Sequence, residues 1–286
     1  MSQSIVPKAL SWPIVDVLQA IVLGIVQGLT EFLPISSSAH LLIVPKLLDW
    51  PDPGAAFTAV IQLGTMLAVL LFFWRDIVRI SWTWLRSLRD KELRSSLDAR
   101  MGWYIILGTV PISVAGLLFA DAIEGPARNL WLNASMLIVF GLILLVAEQW
   151  GSKRKELEDL TLKDGLIIGA WQMLPLIPGA SRSGSTLTGA MFLGYTREAA
   201  ARYSFLLSIP AVVLSGIFEM RHVGDGGGPP LVPTIICTIV SFIVGYASIA
   251  WLLKWVAKHS TNIFVIYRVF AGSLLLTLLS LGVITP

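Results

Sequence analysis

The sequence predicts an all-α polytopic membrane protein: an inverted-topology repeat with six full transmembrane helices and two re-entrant helical hairpins. Three observations lead there. Of the 286 residues, 55% are hydrophobic and only 14% charged, against about 25% charged in soluble domains; the mean hydropathy is +0.77. The apolar residues fall in runs that approach the ~20 residues of helix needed to cross a bilayer. Two such runs are interrupted by polar stretches, Glu31-Phe-Leu-Pro-Ile-Ser-Ser-Ser-Ala-His40 and Pro178-Gly-Ala-Ser-Arg-Ser-Gly-Ser-Thr186.

The elements follow in order. The run at about 14–33, with Lys8 before it and Ser37-Ser38-Ala39 after it, imitates a secretory leader. It is longer than the roughly 7–15 apolar residues of a leader core and runs into a polar break, so it is read as retained. Regions 14–48 and 164–194 are each split into halves too short to cross. Each reads as a re-entrant hairpin with its break near mid-membrane, where irregular backbone survives only inside protein or beside a wet cavity. Full spans are expected at 55–74, 101–120, 131–149, 204–220, 231–253 and 262–283. The whole chain, 1–286, forms a single integral domain, with repeats at about 1–150 and 160–286.

Charge sets the orientation. Arg75, Arg79, Arg86, Arg89, Lys91, Arg94, Arg100, Lys153, Arg154, Lys155, Lys163, Arg197, Arg202, Lys254 and Lys258 fall on one side, which is expected to be cytoplasmic. The other side has Lys8, Lys46, Arg128 and Arg221 beside Asp49, Asp52, Asp121, Glu124 and Asp225. Both termini then lie outside. The first hairpin enters from outside and the second from the cytoplasm, each followed by three spans of opposite sense. Gly24-Ile-Val-Gln27 is echoed by Gly169-Ala-Trp-Gln172, each ahead of a break. Such a repeat places its site where the two broken hairpins meet. The net charge of +3 is a matter of topology and implies no nucleic-acid partner. Trp74, Trp82 and Trp84 read as an interfacial anchor, Gly224 to Pro230 as a tight extracytoplasmic loop, and the single Cys237 as a small buried hydrophobe, with no disulfide or thiolate metal cluster.

The breaks carry the chemistry. Gln27 and Glu31 stand four apart on one helix face and could hold a divalent cation through oxygen, Mg²⁺ or Ca²⁺, with phosphate and water completing the shell. The alternative for Glu31 is neutralisation by burial or pairing with an arginine. Ser36, Ser37 and Ser38 can cap the second half-helix, whose N-terminus suits an anion. His40 lies within a turn of them, placed to attack or to activate a hydroxyl. In the second break Arg182 can grip phosphate oxygens with two parallel bonds, and Ser181, Ser183 and Thr186 add hydroxyls to the cradle. A close contact of small residues between helices would explain Gly184 and Ser185 but not Arg182. The GxxxxGK[ST] order is absent, so nucleotide binding is not implied. Arg268 either assists the site or pairs with a carboxylate such as Glu219, the pairing being favoured, and Glu148 is expected to need no special role.

At these residues the chain resembles the bacitracin-resistance type of undecaprenyl-diphosphatase. The family's (E/Q)xxxE element is similar to Gln27…Glu31, its Ser-rich stretch ending in His to Ser36–His40, and its PGxSRSxxT to Pro178–Thr186 throughout. The likeness covers essentially the whole length, including Ile61-Gln62-Leu63-Gly64 and Tyr267-Arg268. Ser38-Ala39 stands where relatives commonly have Thr-Gly, and Gln27 where many have Glu, which lowers the local charge.

The resemblance implies hydrolysis of a polyprenyl diphosphate, undecaprenyl diphosphate, to the monophosphate and phosphate. It places this on the outer face of the bacterial plasma membrane, where it recycles the carrier for wall polymers and confers bacitracin resistance. In that setting Glu31, with Gln27, holds the cation; Arg182 and the hydroxyls bind phosphate; and His40, Ser37 or water attacks. A rival from another class is a transporter or flippase of undecaprenyl phosphate or another anionic lipid, since paired broken hairpins also build transporters. Membrane lipids are expected partners, and a homodimer is compatible with the chain.

Overall fold

Asp16 starts the first helix, α1 (Val17–Phe32), with a reciprocal cap: its carboxylate accepts the Gln19 amide at 2.7 Å, and the Gln19 side chain accepts the Asp16 N–H at 3.2 Å. The computed structural model describes residues 16–52, 54–124, 129–220 and 231–284, the side chains of 55–56, 120–124 and 215–220 excepted. Helix α1 stops where Leu33 turns extended before Pro34, because a residue preceding proline is pushed out of the helical region. After the break come α2 (Ser37–Leu47), α3 (Gly54–Phe72), α4 (Trp74–Ser87), α5 (Leu97–Glu124) and α6 (Leu130–Trp150). The second half holds α7 (Leu162–Trp171), α8 (Arg182–Phe192), α9 (Arg197–Met220), α10 (Leu231–Val256) and α11 (Asn262–Ser280). No strand occurs among the described residues.

Helices α5, α6, α10 and α11 are each long and apolar enough to cross a bilayer; α3 and α4 qualify only as a pair, bent by 68°. The chain is thus all-helical, with the four or five apolar helices of a multi-pass membrane protein. The bend corrects the expected loop at 75–100. Trp74, Val78, Trp82 and Leu85 form an exposed stripe at helical spacing, with arginines on the other faces, so α4 is an amphipathic helix of interfacial type. Within α4 Arg79 pairs with Asp76 at 2.9 Å; it also holds the helix to Asp98 of α5 at 3.1 Å, and Arg202 of α9 reaches Asp76 at 2.7 Å.

Small residues let α1 and α7 pack closely on their neighbours. A Cβ at Gly24 would lie 2.7 Å from the Cys237 carbonyl, and one at Gly28 2.7 Å from Val244, so α1 lies directly on α10. In the second half, a Cβ at Gly169 would meet the backbone of Gly108, which sets α7 on α5 in the same manner. Phe32, at the end of α1, packs edge-on against Phe205 of α9 with centroids 5.7 Å apart. Cys237 is fully buried, as expected. The Gly224 to Pro230 run lies outside the described residues.

Glu148 departs from the expectation of no special role. Its carboxylate accepts Arg197 Nε at 2.9 and 3.0 Å and a further short bond from Arg197 Nη2. It also accepts the Thr261 N–H at 3.0 Å and the Thr261 hydroxyl at 2.7 Å. A carboxylate in the last turn of α6 faces the negative end of the helix dipole, so cations are needed there. The effect is to tie the end of α6 to the starts of α9 and α11. Nearby, the Tyr195 hydroxyl donates to Asp164 at 2.7 Å. Burial first, and then this carboxylate, push the tyrosine well above its usual range.

Candidate active site

The two breaks are built alike. Ser36 and Ser181 have positive φ, 77° and 73°, a conformation that costs a residue with a side chain about 1–3 kcal/mol. Each stands just before a half-helix, and each hydroxyl touches that of the serine two residues on, at 3.1 Å to Ser38 and 3.2 Å to Ser183. They differ in one respect. Ser181 caps α8, accepting the Gly184 amide at 3.2 Å, whereas α2 has no side-chain cap. Its first N–H groups are therefore left for an anion.

One arginine stitches both breaks. Arg268 is 1% exposed and donates to Pro34 O in the first break (3.0 Å), Gly179 O and Ala180 O in the second (3.0 and 3.1 Å), and Leu137 O and Met136 O of α6 (3.1 and 3.3 Å). The expected pairing with a carboxylate gives way to this arrangement: broken helices leave carbonyls without partners, and one guanidinium carries five donors. The Glu219 side chain lies outside the described residues. Ser183 adds a further stitch, its hydroxyl donating to Leu33 O at 3.1 Å.

Glu31 is the node where the breaks meet. One oxygen accepts the Ser37 hydroxyl at 2.7 Å and the Gln27 amide at 3.1 Å; the other accepts a short bond from Arg182, 151 residues away in sequence. A cavity of about 260 Å³ opens over this group. Gln27, Glu31, Ser36, Ser37 and Ser38 line it from the first hairpin, and Ser181 and Arg182 from the second. Among the described residues Glu31 is Arg182's side-chain partner, which leaves its other donors for an anion in the cavity. That anion would meet a guanidinium, hydroxyls and the uncapped end of α2.

Other expected site residues stand behind this shell. The Thr186 hydroxyl is spent on Arg182 O at 2.9 Å, and neither Thr186 nor Ser183 lines the cavity. His40 does not line it either. Its Nδ1 lies 2.7 Å from Ser36 O, which can only accept, so Nδ1 carries the proton. Nε2 then accepts the Tyr267 hydroxyl at 2.6 Å. Leu41, four residues on from Ser37, takes the cavity face of α2, and His40 sits a step round the helix.

Sequence reasoning gave no site role to Thr58 and Gln62 on α3, which line the cavity, to Thr65, which Gln27 contacts at 3.3 Å, or to Tyr267; Gln62 and Tyr267 entered only through the family likeness. An amide in the middle of an expected span was signal enough for Gln62; nothing marked Tyr267's partner.

The chain is thus a helical membrane protein in which a carboxylate, a guanidinium and serines from two helix breaks line one cavity. The family model described as bacitracin resistance protein BacA matches residues 20–274, and the chain belongs to that family. It is 54% identical over 271 residues to the undecaprenyl-diphosphatase of Thermobifida fusca, covering 95% of this chain and 93% of that protein. Identity to the undecaprenyl-diphosphatase of a Nocardioides species is 56% over 271 residues, covering 94% and 99%. To undecaprenyl-diphosphatase 2 of Streptomyces avermitilis it is 48% over 280 residues, covering 94% and 96%.

Proposed function

We propose that the protein hydrolyses undecaprenyl diphosphate to undecaprenyl phosphate and phosphate in a bacterial plasma membrane, on its extracytoplasmic side. This activity would recycle the lipid carrier for wall synthesis and confer bacitracin resistance. The carrying observation is the Ser37 hydroxyl donating at 2.7 Å to a carboxylate whose other oxygen holds Arg182. That is a nucleophile, its base and an anion clamp in one cavity. Ser37 Oγ attacks the terminal phosphorus and its proton passes to Glu31. The bond to the bridging oxygen breaks, Glu31 passes the proton to that oxygen, and undecaprenyl phosphate leaves. Water then attacks phospho-Ser37, giving a proton to Glu31, which returns it to Ser37 Oγ as phosphate is released. Arg182, Ser36, Ser38, Ser181 and the N–H groups of α2 offset the transition-state charge. Ser183 and Thr186 hold the second break in shape. Both ring nitrogens of His40 are occupied, which favours a positioning role, through Ser36 O, over attack.

A divalent cation belongs to this proposal. Among the described residues no group of three or more His, Cys, Asp and Glu could hold a metal, so no all-protein cage is built. One carboxylate, Glu31, with the amide oxygen of Gln27 and nearby hydroxyls, suits Mg²⁺ or Ca²⁺ shared with diphosphate oxygens and water. Such an ion would neutralise charge on the phosphoryl oxygens.

The inverted repeat, with six spans and two re-entrant hairpins, is part of the same proposal. It is supported by the matched serines of positive φ and by the matched glycine contacts of α1 on α10 and α7 on α5. The six spans would add α3 and α9 to the four long apolar helices. A homodimer belongs here too, to be read from the mass of the solubilised protein. A flippase needs no paired Ser and Glu, and the relatives carry the name of a diphosphatase.

The test is phosphate release from undecaprenyl diphosphate by purified protein in detergent, with Mg²⁺ and with EDTA, beside Arg182→Ala. Release that depends on metal and is lost in the variant supports the proposal. Folded protein that releases none overturns it.

A further inference from the structure

The cavity is two-faced. Its polar lining comes from the breaks and α3; its apolar lining comes from Leu41 of α2, Ile112 of α5, Pro175 and Leu176 of the turn before the second break, and Ala211 of α9. Helices α5 and α9 both begin at α4, to which Asp98 and Arg202 bind them, so they run in the same direction. One turn beyond Ile112 on the same face is Gly116, where an added Cβ would meet nothing within 4 Å among the described residues. One turn beyond Ala211 is the exposed Leu214. Pro111 and Pro210 sit immediately before the two wall residues, each removing one helix hydrogen bond and permitting a bend.

A cavity of about 260 Å³ falls below the roughly 300–1,000 Å³ of pockets that enclose a drug-sized ligand. It can take a diphosphate and the first isoprene but not a long polyprenyl chain. We propose that the prenyl tail leaves the site along the seam between α5 and α9, over Ile112 and Gly116 on one side and Ala211 and Leu214 on the other. This rests on the diphosphatase reading. The polar head enters the pocket, the apolar tail stays in the lipid, and the seam joins the two. The wall residues then discriminate by the first isoprene units, because a long-chain substrate must cross Gly116 and a short one need not.

The test compares two substrates, undecaprenyl diphosphate and a five-carbon prenyl diphosphate. The main variant is Gly116→Phe, whose new side chain has free space. Ala211→Phe narrows the seam from the other wall, and Val110→Phe adds the same bulk at an exposed site two residues away from Ile112. Gly116→Phe should lose roughly tenfold or more in kcat/KM on the long substrate and under about twofold on the short one, whereas Ala211→Phe, whose ring enters the cavity itself, should lose on both. Val110→Phe should change neither. Equal losses on both substrates, or no loss on the long one, in Gly116→Phe would overturn the seam. Wild-type protein that hydrolyses neither substrate would sink the diphosphatase reading instead. The seam would then be judged by whether Gly116→Phe weakens direct binding of undecaprenyl phosphate relative to inorganic phosphate.

Discussion

Glu31→Gln keeps the shape of the node and removes its charge. The carboxylate accepts from three donors, on Ser37, Gln27 and Arg182, and an amide can face only one side with oxygen. Turned toward Arg182, it presents N–H groups to Ser37 and Gln27. Ser37 then accepts where it used to donate and has no base for its proton. Loss of a general base costs about 10²–10⁴ in rate, or about 3–5 kcal/mol in the barrier. The partners are also well buried, with side chains 7% and 16% exposed, so stranding Arg182 should cost about 3 kcal/mol of stability as well. Ser37→Ala alone should lose a similar factor in kcat. If the two act as a unit, the double variant should fall within about threefold of the worse single one. Initial rates of phosphate release per folded protein, with a melting curve for each variant, decide it. A Ser37→Ala enzyme near wild-type kcat, or losses that simply multiply in the double variant, would refute the pairing.

Arg268→Lys should lower the melting temperature: one ammonium lacks the spread of the guanidinium that reaches both breaks, and each of the Pro34, Gly179 and Ala180 carbonyls it fails to reach is orphaned at about 1–3 kcal/mol. An unchanged melting curve would count against the stitch. Tyr267→Phe removes one donor from His40 and should slow turnover by no more than about tenfold, the worth of one hydrogen bond, with KM unchanged. A loss as large as that of Ser37→Ala would make Tyr267 part of the chemistry. Glu148→Gln should destabilise by about 3–5 kcal/mol, since Arg197 is left without its carboxylate, yet leave kcat per folded molecule unchanged; a fall in kcat would show that the α6–α9–α11 junction acts on the cavity.

Much of the site was legible because membranes make polar residues conspicuous. Glu31, Arg182 and the serines stand out against apolar runs, and the structure brings Arg182 onto Glu31 across 151 residues. Helix α4 is less legible, because seven basic residues in 75–100 mark a cytoplasmic loop as readily as a helix, and only the spacing of Trp74, Val78, Trp82 and Leu85 favours the helix. The partners of Arg268 could not be named, since every residue has a carbonyl and nothing in a side-chain pattern says which ones a break will strand. His40 was placed by nearness along the chain, and a helix decides facing by angle: Leu41 points where the imidazole was expected.

The stitch through Arg268 also bears on how the molecule is made. Chains are synthesised from the N-terminus, and the first hairpin is complete long before α11 leaves the ribosome. Until then the carbonyls of Pro34, Gly179 and Ala180 lack the guanidinium that satisfies them in the finished protein. The two hairpins have no common anchor on α11 while the chain is still growing. Activity should therefore switch on at the last step of biogenesis, and a nascent chain released before residue 268 should carry every residue of the cavity wall and still lack a working site.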